Sequence, residues 1–182
     1  MNYKRWIFIA VFLFGIGIAF GLATPASDSL PSEYITAFEE QSASILALPK
    51  PLIVLFLFFK NTLALLVSFA LSPIFCLIPI LALIINGWMI AFVSTLVIQE
   101  ESLGFLLSGL LPHGIFELPA LILAQAAALS FGVVVILALF KKERRNLLLP
   151  GLKQNLRYLV VALALLLPAA IIETYITPLF LS

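Results

Sequence analysis

Long apolar runs, separated by short polar or proline-containing stretches, divide this chain into five segments. Each run has roughly 18 residues or more, the length at which an apolar helix can cross the hydrocarbon of a bilayer. The predicted spans are residues 6–23, 51–71, 74–98, 112–140 and 155–177. The pattern therefore predicts an all-α fold, a polytopic transmembrane bundle of about five helices that forms one integral membrane domain over residues 1–182.

Two segments between these spans have a different pattern. In residues 32–48, apolar positions recur at helical steps among acidic ones, and Ser32 can cap the first turn. This predicts an amphipathic helix on the outer membrane surface, with an ordinary helix packed on the bundle as the alternative. Residues 105–111 are apolar but too short to span, and they are predicted to form a re-entrant or interfacial turn.

The first run also has features of a cleaved signal peptide, because Lys4 and Arg5 precede it and small residues follow it at 23–26. Its apolar stretch is longer than a typical signal core, however. It also contains Gly17 and Gly21, a four-residue glycine spacing that lets two helices approach closely. We favour a retained anchor helix.

Composition supports a membrane protein and excludes several other classes. Hydrophobic residues make up 63% of the 182 residues and charged residues 10%, and the mean hydropathy is +1.21. A soluble fold of this size could not cover its surface with so few charges. No basic patch with interleaved aromatic residues is present, which argues against nucleic-acid binding. Cys76 is the single cysteine, so no internal disulfide is possible.

The distribution of charge predicts the orientation. If the N-terminus is cytoplasmic, eight of the ten basic residues face the cytoplasm: Lys4, Arg5, Lys141, Lys142, Arg144, Arg145, Lys153 and Arg157. The acidic residues between the first and second spans, together with Glu100 and Glu101, then lie outside. The positive-inside rule thus predicts a multi-pass protein of the cell membrane with its N-terminus cytoplasmic and its C-terminus extracytoplasmic.

Ionisable residues inside the apolar runs are the candidate functional residues, because a charge in hydrocarbon is costly. His113 and Glu117 are one helical turn apart in the fourth span, and Glu173 lies in the fifth. Pro112 suits a first helical position and Pro119 should kink the helix. We therefore expect a half-helix from Pro112 to Leu118 with its positive end close to Glu117.

Other polar residues fall at similar depths. The predicted polar site consists of Lys60, Asn61, Asn86, His113, Glu117, Glu173 and Tyr175. The orientation places these groups at mid-depth or in the outer half of the membrane, where Lys60 could neutralise a carboxylate.

Three interpretations of this set compete. The first is a hydrogen-bonded brace that fixes the register of the helices, which needs several contacts because each is weak. The second is a path for an ion, proton or solute. The third is a metal site for hydrolysis, but the spacing does not fit the familiar zinc motif and the chain has one histidine. The brace is favoured, and no metal or cofactor is predicted.

The string Pro112-His113-Gly114 through Glu117-Leu118-Pro119-Ala120 resembles the signature of the stage II sporulation protein M family. Lys60-Asn61, Asn86-Gly87 and residues 172–178 extend the resemblance over most of the chain, although Lys60 stands where the family often has asparagine. The resemblance implies a polytopic integral membrane protein. In spore-forming bacteria the family works with cell-wall-degrading partners at the engulfing membrane, as a scaffold. Relatives in organisms that make no spores mean that this role does not carry over, and the resemblance brings no catalytic residues.

These observations together predict a non-enzymatic membrane scaffold or assembly partner. It would act in the lipid bilayer as a homodimer or with membrane or cell-envelope proteins. The alternative is a small ion or solute transporter or channel that uses the same His, Glu, Lys and Asn cluster.

Overall fold

The computed structural model describes residues 3–25, 45 and 47–180. Its helices are α1 (Tyr3–Ala23), α2 (Lys50–Ala70), α3 (Leu77–Glu100), α4 (Leu103–Phe140), α5 (Leu148–Tyr175) and the short α6 (Thr177–Phe180), with a 3₁₀ helix at Lys142–Leu147. No strand occurs within the described part of the chain. The predicted all-α bundle is confirmed, and five segments are long and apolar enough to cross a membrane.

The start of α4 corrects two predictions. The helix begins at Leu103, where the Ser102 side chain accepts a hydrogen bond of 3.1 Å from the Phe105 amide. The interfacial turn expected at residues 105–111 is therefore helix, and Pro112 lies inside α4 rather than at its start. The half-helix with a positive end beside Glu117 is not formed. Proline is tolerated inside a membrane helix because other groups can satisfy the freed carbonyls.

Two further predictions concern the start of the fifth span and the amphipathic helix between the first two spans. The fifth helix begins at Leu148, earlier than the predicted residue 155, because the residues after the 3₁₀ helix continue the helix without a break. The amphipathic helix predicted for residues 32–48 lies outside the described residues, apart from positions 45, 47 and 48.

Helices α1 and α3 run parallel and in close contact through glycine. A Cβ on Gly17 would fall on the backbone of Ile84, and one on Gly21 would meet the backbone of Trp88. From the other side, a Cβ on Gly87 would meet the backbone of α1. The glycine spacing noted in the sequence thus serves a contact within the chain, between its first and third spans.

Helix α4 is the centre of the bundle. It packs against α1, α2, α3 and α5, and seven consecutive residues from Ala124 to Ser130 are buried. Burial around the whole circumference of a helix is the mark of a central position. Ala126, Ala127 and Ala128 are fully buried, because small side chains let the neighbouring helices come close on every side.

A tight turn between α2 and α3 packs against α4. Phe75 and Cys76 have φ angles of 49° and 56°, a left-handed conformation that costs energy for residues with side chains. Gly132 of α4 lies directly against this turn: an added Cβ would be 2.7 Å from Cys76 Sγ. The Cys76 thiol is buried and lies 3.7 Å from the Leu129 carbonyl oxygen, to which it donates.

The two ends of the bundle differ in their polar groups. Trp6 of α1 lines one cavity together with Arg144 and Leu147 of the 3₁₀ helix, so the start of α1 adjoins the connection between α4 and α5. At the other end, the Lys50 ammonium lies over the Tyr175 ring, 5.3 Å from its centroid. The end that contains Trp6 and Arg144 is called the basic end below.

Candidate functional site

The polar face of α4 meets α2 in two hydrogen bonds. Glu117 and Gln125 of α4 both face α2, since each is hydrogen-bonded to a side chain of that helix, and His113 lies one turn before Glu117. Asn61 Nδ2 donates to Glu117 Oε1 over 3.1 Å, and the Ser68 hydroxyl donates to Gln125 Oε1 over 2.6 Å. The two pairs rise together in residue number, so α2 and α4 run parallel and are joined at two levels.

A polar cavity of about 80 Å³ lies between these levels. Its polar lining comes from three helices: Asn61 of α2, Asn86 of α3, and Glu117 and Gln125 of α4. Leu65, Leu121 and Leu166 close it on the apolar side. A water molecule occupies about 30 Å³ in the liquid, so the cavity is large enough for one or two.

Hydrogen bonding leaves mostly acceptors facing this cavity. Asn86 Nδ2 donates to the Ala82 carbonyl of its own helix over 2.7 Å, and Asn61 Nδ2 is bound to Glu117. Among the described residues, the side-chain oxygens of both asparagines and the second Glu117 oxygen therefore accept no bond. The Gln125 side chain has the opposite arrangement: its oxygen accepts the bond from Ser68, and its amide nitrogen is left to donate. The cavity thus has acceptors at one end and a donor at its deeper end.

Glu173 of α5 belongs to the same region. Its carboxyl group interacts electrostatically with His113, Glu117 and Lys60. Residues from α2, α4 and α5 are therefore close enough to influence one another. Lys60 is exposed, and within the described part of the chain it forms no ion pair. His113 Nδ1 is buried and has no hydrogen-bond partner among the described residues. The two acidic residues that stood out in the sequence are thus within electrostatic range of each other.

Tyr175 stands apart from the others. It is at the end of α5 with Lys50 over its ring, and it does not line the cavity. Conversely, the structure adds Ser68 and Gln125, which are 2% exposed and bound to each other. A signal for Gln125 was present in the sequence, since it is a polar residue within a long apolar run.

The cavity has lining residues on both α2 and α3. These two helices share few direct contacts, and Asn86, near the middle of α3, is exposed. The part of the cavity lined by Asn61, Ala64, Ala82, Asn86 and Glu117 is the α2–α3 cleft. Within the described part of the chain, no three His, Cys, Asp and Glu side chains are grouped so that they could hold a metal ion.

Four apolar helices around a fifth, buried one, with a polar cleft near their middle, define a multi-span helical membrane protein. The chain belongs to the stage II sporulation protein M family, since the sequence model of that family matches residues 9–178. It is 30% identical over 178 residues to an uncharacterized protein of Methanocaldococcus jannaschii, covering 94% of this chain and 93% of that protein. No solved structure matches the chain.

Proposed function

We propose that the protein is a non-enzymatic membrane assembly protein that binds the transmembrane helix of a partner in the α2–α3 cleft. The observation that carries this proposal is the exposure of Asn86 near the middle of an apolar helix, beside the carboxylate of Glu117. In hydrocarbon, polar groups left open on a helix surface are costly, so they are normally covered by protein or lie in a water-filled cavity.

The chemistry of the cleft favours a helix that presents a donor. Three oxygen atoms, from Asn61, Asn86 and Glu117, accept no bond from described residues. Interhelical hydrogen bonds in membranes average about 0.6 kcal/mol and reach about 1.7 kcal/mol. A partner would therefore need more than one of these acceptors, together with close packing against Ala64 and Ala82. A serine, threonine, asparagine or lysine side chain on a small-residue helix face fits this requirement.

Site-specific photo-cross-linking tests the proposal. A photoreactive residue at Ala82, inside the cleft, is expected to yield a discrete protein adduct when native membranes are irradiated. The same residue at Leu81, which is 42% exposed on another side of α3 and does not line the cleft, serves as the matched control. Asn86→Leu should reduce the Ala82 adduct several-fold by removing an acceptor, while Leu81→Met leaves it unchanged.

The mass of the adduct identifies the partner. An adduct of about twice the mass of this chain would show that the partner is a second copy of the chain rather than a different protein. Cross-links at both positions to lipid alone would contradict the proposal, because the cleft would then face the bilayer.

Transport is a second candidate, favoured by the cavity next to Glu117. Glu117→Gln preserves the size of the side chain and removes its charge, so a transporter that uses this carboxylate is expected to stay folded and lose its flux. The measurement is uptake of protons or monovalent cations by proteoliposomes that contain the purified protein. For an assembly protein, neither the wild-type chain nor the variant carries a flux above that of empty vesicles, and the variant loses the Ala82 adduct instead.

A further inference from the structure

A second cavity, of about 190 Å³, lies at the basic end of the bundle. Its walls are almost entirely apolar: Trp6 from α1, Val133, Val134 and Leu137 from α4, and Leu147 from the 3₁₀ helix. It lies between α1 and the end of α4, and it shares no lining residue with the cavity at the α2–α3 cleft.

A hydroxyl without a partner lines this apolar space. Ser130 is fully buried, and its Oγ has no hydrogen-bond partner within the described part of the chain. A buried donor is costly when it stays unpaired. Since the cavity walls offer the hydroxyl no acceptor, a molecule that enters the cavity could supply one.

A guanidinium group borders the same cavity. Arg144 is exposed, and within the described residues it forms no ion pair. The charged groups near it are mostly of the same sign: Lys141, Lys142 and Arg145 in its own segment, Lys4 and Arg5 at the start of α1, with Glu143 as the acid beside it. Arg145 is already engaged, because its Nε donates to the Ala138 carbonyl over 3.4 Å. Arg144 is thus the cation that remains available at this cavity.

We propose that this cavity binds one anionic glycerophospholipid. The phosphate would contact Arg144, an acyl chain would lie against Val133, Val134 and Leu137, and an oxygen of the glycerol region would accept from Ser130. The apolar walls favour a lipid over a water-soluble anion, because they would offer such an anion no further contacts. Basic pockets between membrane helices are a recurring binding site for anionic headgroups, and a tryptophan such as Trp6 is typical of that interfacial depth.

The position of Trp6 supplies the test. The chain has two tryptophans, and Trp88 can be replaced by phenylalanine, which keeps a ring stacked on Phe92. The Trp88→Phe variant is placed in vesicles of neutral lipid with a small fraction of brominated phosphatidylglycerol. Bromine in the acyl chain should then quench the fluorescence of Trp6. Titration is expected to give about fivefold tighter apparent binding for brominated phosphatidylglycerol than for brominated phosphatidylcholine, the contribution of roughly one arginine near a membrane phosphate.

Two variants separate a site from general attraction to a charged surface. Arg144→Gln should abolish most of that fivefold preference, whereas Lys142→Gln, which removes a neighbouring charge that does not line the cavity, should leave most of it. Ser130→Ala should weaken quenching by both brominated lipids and leave their ratio unchanged.

Three results would overturn the proposal. One is equal quenching by the two lipids in the Trp88→Phe chain, a comparison that needs no change within the cavity. Another is an equal loss of preference in Arg144→Gln and Lys142→Gln, which would indicate surface attraction alone. The third is reversal of quenching by inorganic phosphate or glycerol phosphate, which would assign the arginine to a water-soluble anion.

Discussion

Replacing Gly17 with leucine is expected to destabilise the protein by about 3 kcal/mol, the upper part of the range for overpacking a closely packed contact. A Cβ at this position would already fall on the carbonyl group of Ile84. Backbone of a neighbouring helix cannot rotate away as a long side chain can, so α1 and α3 would have to separate. Separation would also weaken the contacts at Gly21 and Gly87, because all three glycines belong to the same interface.

The free energy of unfolding in mixed detergent micelles, obtained by denaturant titration, measures this effect. Gly15→Leu is the matched control on the same helix, since an added Cβ there meets nothing within 4 Å. It is expected to change the stability by less than about 0.5 kcal/mol. Equal losses for the two variants would show that α1 does not depend on close approach to α3.

Gly132→Ala is expected to cost about 2 kcal/mol and also to disturb the polar site. The new methyl group would be 2.5 Å from the Ser72 carbonyl oxygen and 3.0 Å from its carbon, and these backbone atoms cannot rotate away, so the α2–α3 turn would have to move away from α4. Since Ser68 lies only four residues before Ser72, this shift pulls on its hydrogen bond to Gln125.

Gly114→Ala provides the comparison within α4, because nothing lies within 4 Å of an added Cβ at that position. Stability is measured as for the first pair. Cysteines introduced at positions 68 and 125 in a Cys76→Ser background report whether α2 and α4 stay close at this level. If the two positions move apart, the disulfide between them forms more slowly. A Gly132→Ala chain that keeps both its stability and the rate of disulfide formation would mean that the turn adapts without moving α2.

Much of the helical architecture could be predicted from the sequence because runs of apolar residues are a direct signal for spans. The start of α4 could not, since Pro112 and Pro119 suggested a helix end that the membrane environment does not require. The pairing of α1 with α3 was also hidden. The glycine spacing predicts a close contact for α1, but it does not specify which helix supplies the other side.

The polar site was predictable as a set of residues but not as an arrangement. Asn61, Asn86 and Glu117 line one cavity, and Glu173 is near Glu117, as intramembrane polar groups tend to gather away from lipid. Which side of each helix faces the bundle depends on rotation about its axis, which packing decides. Tyr175 was for this reason grouped with residues that it does not join, and Gln125 was overlooked although it is a polar residue within an apolar run.

The polar cluster has one fully bonded part and one part with incomplete hydrogen bonding. Ser68 and Gln125 form a buried, mutually bonded pair that fixes α2 against α4, which is how a brace behaves. Closer to Glu117 the bonding is incomplete, with acceptors facing an open space. The outer part of the cluster is therefore available to a ligand or a partner, and the inner part holds the helices that position it.

The direct contact between the first and third helices has a consequence for biogenesis. While the ribosome is still synthesising α2 and the turn after it, the glycine face of α1 has no neighbour of its own chain. Gly87 supplies the other side of this contact, so the close packing of α1 against α3 cannot form until Gly87 has been synthesised. An insertase or chaperone that shelters α1 during this interval would prevent mispairing, and slower translation of the α3 codons would lengthen the dependence on it.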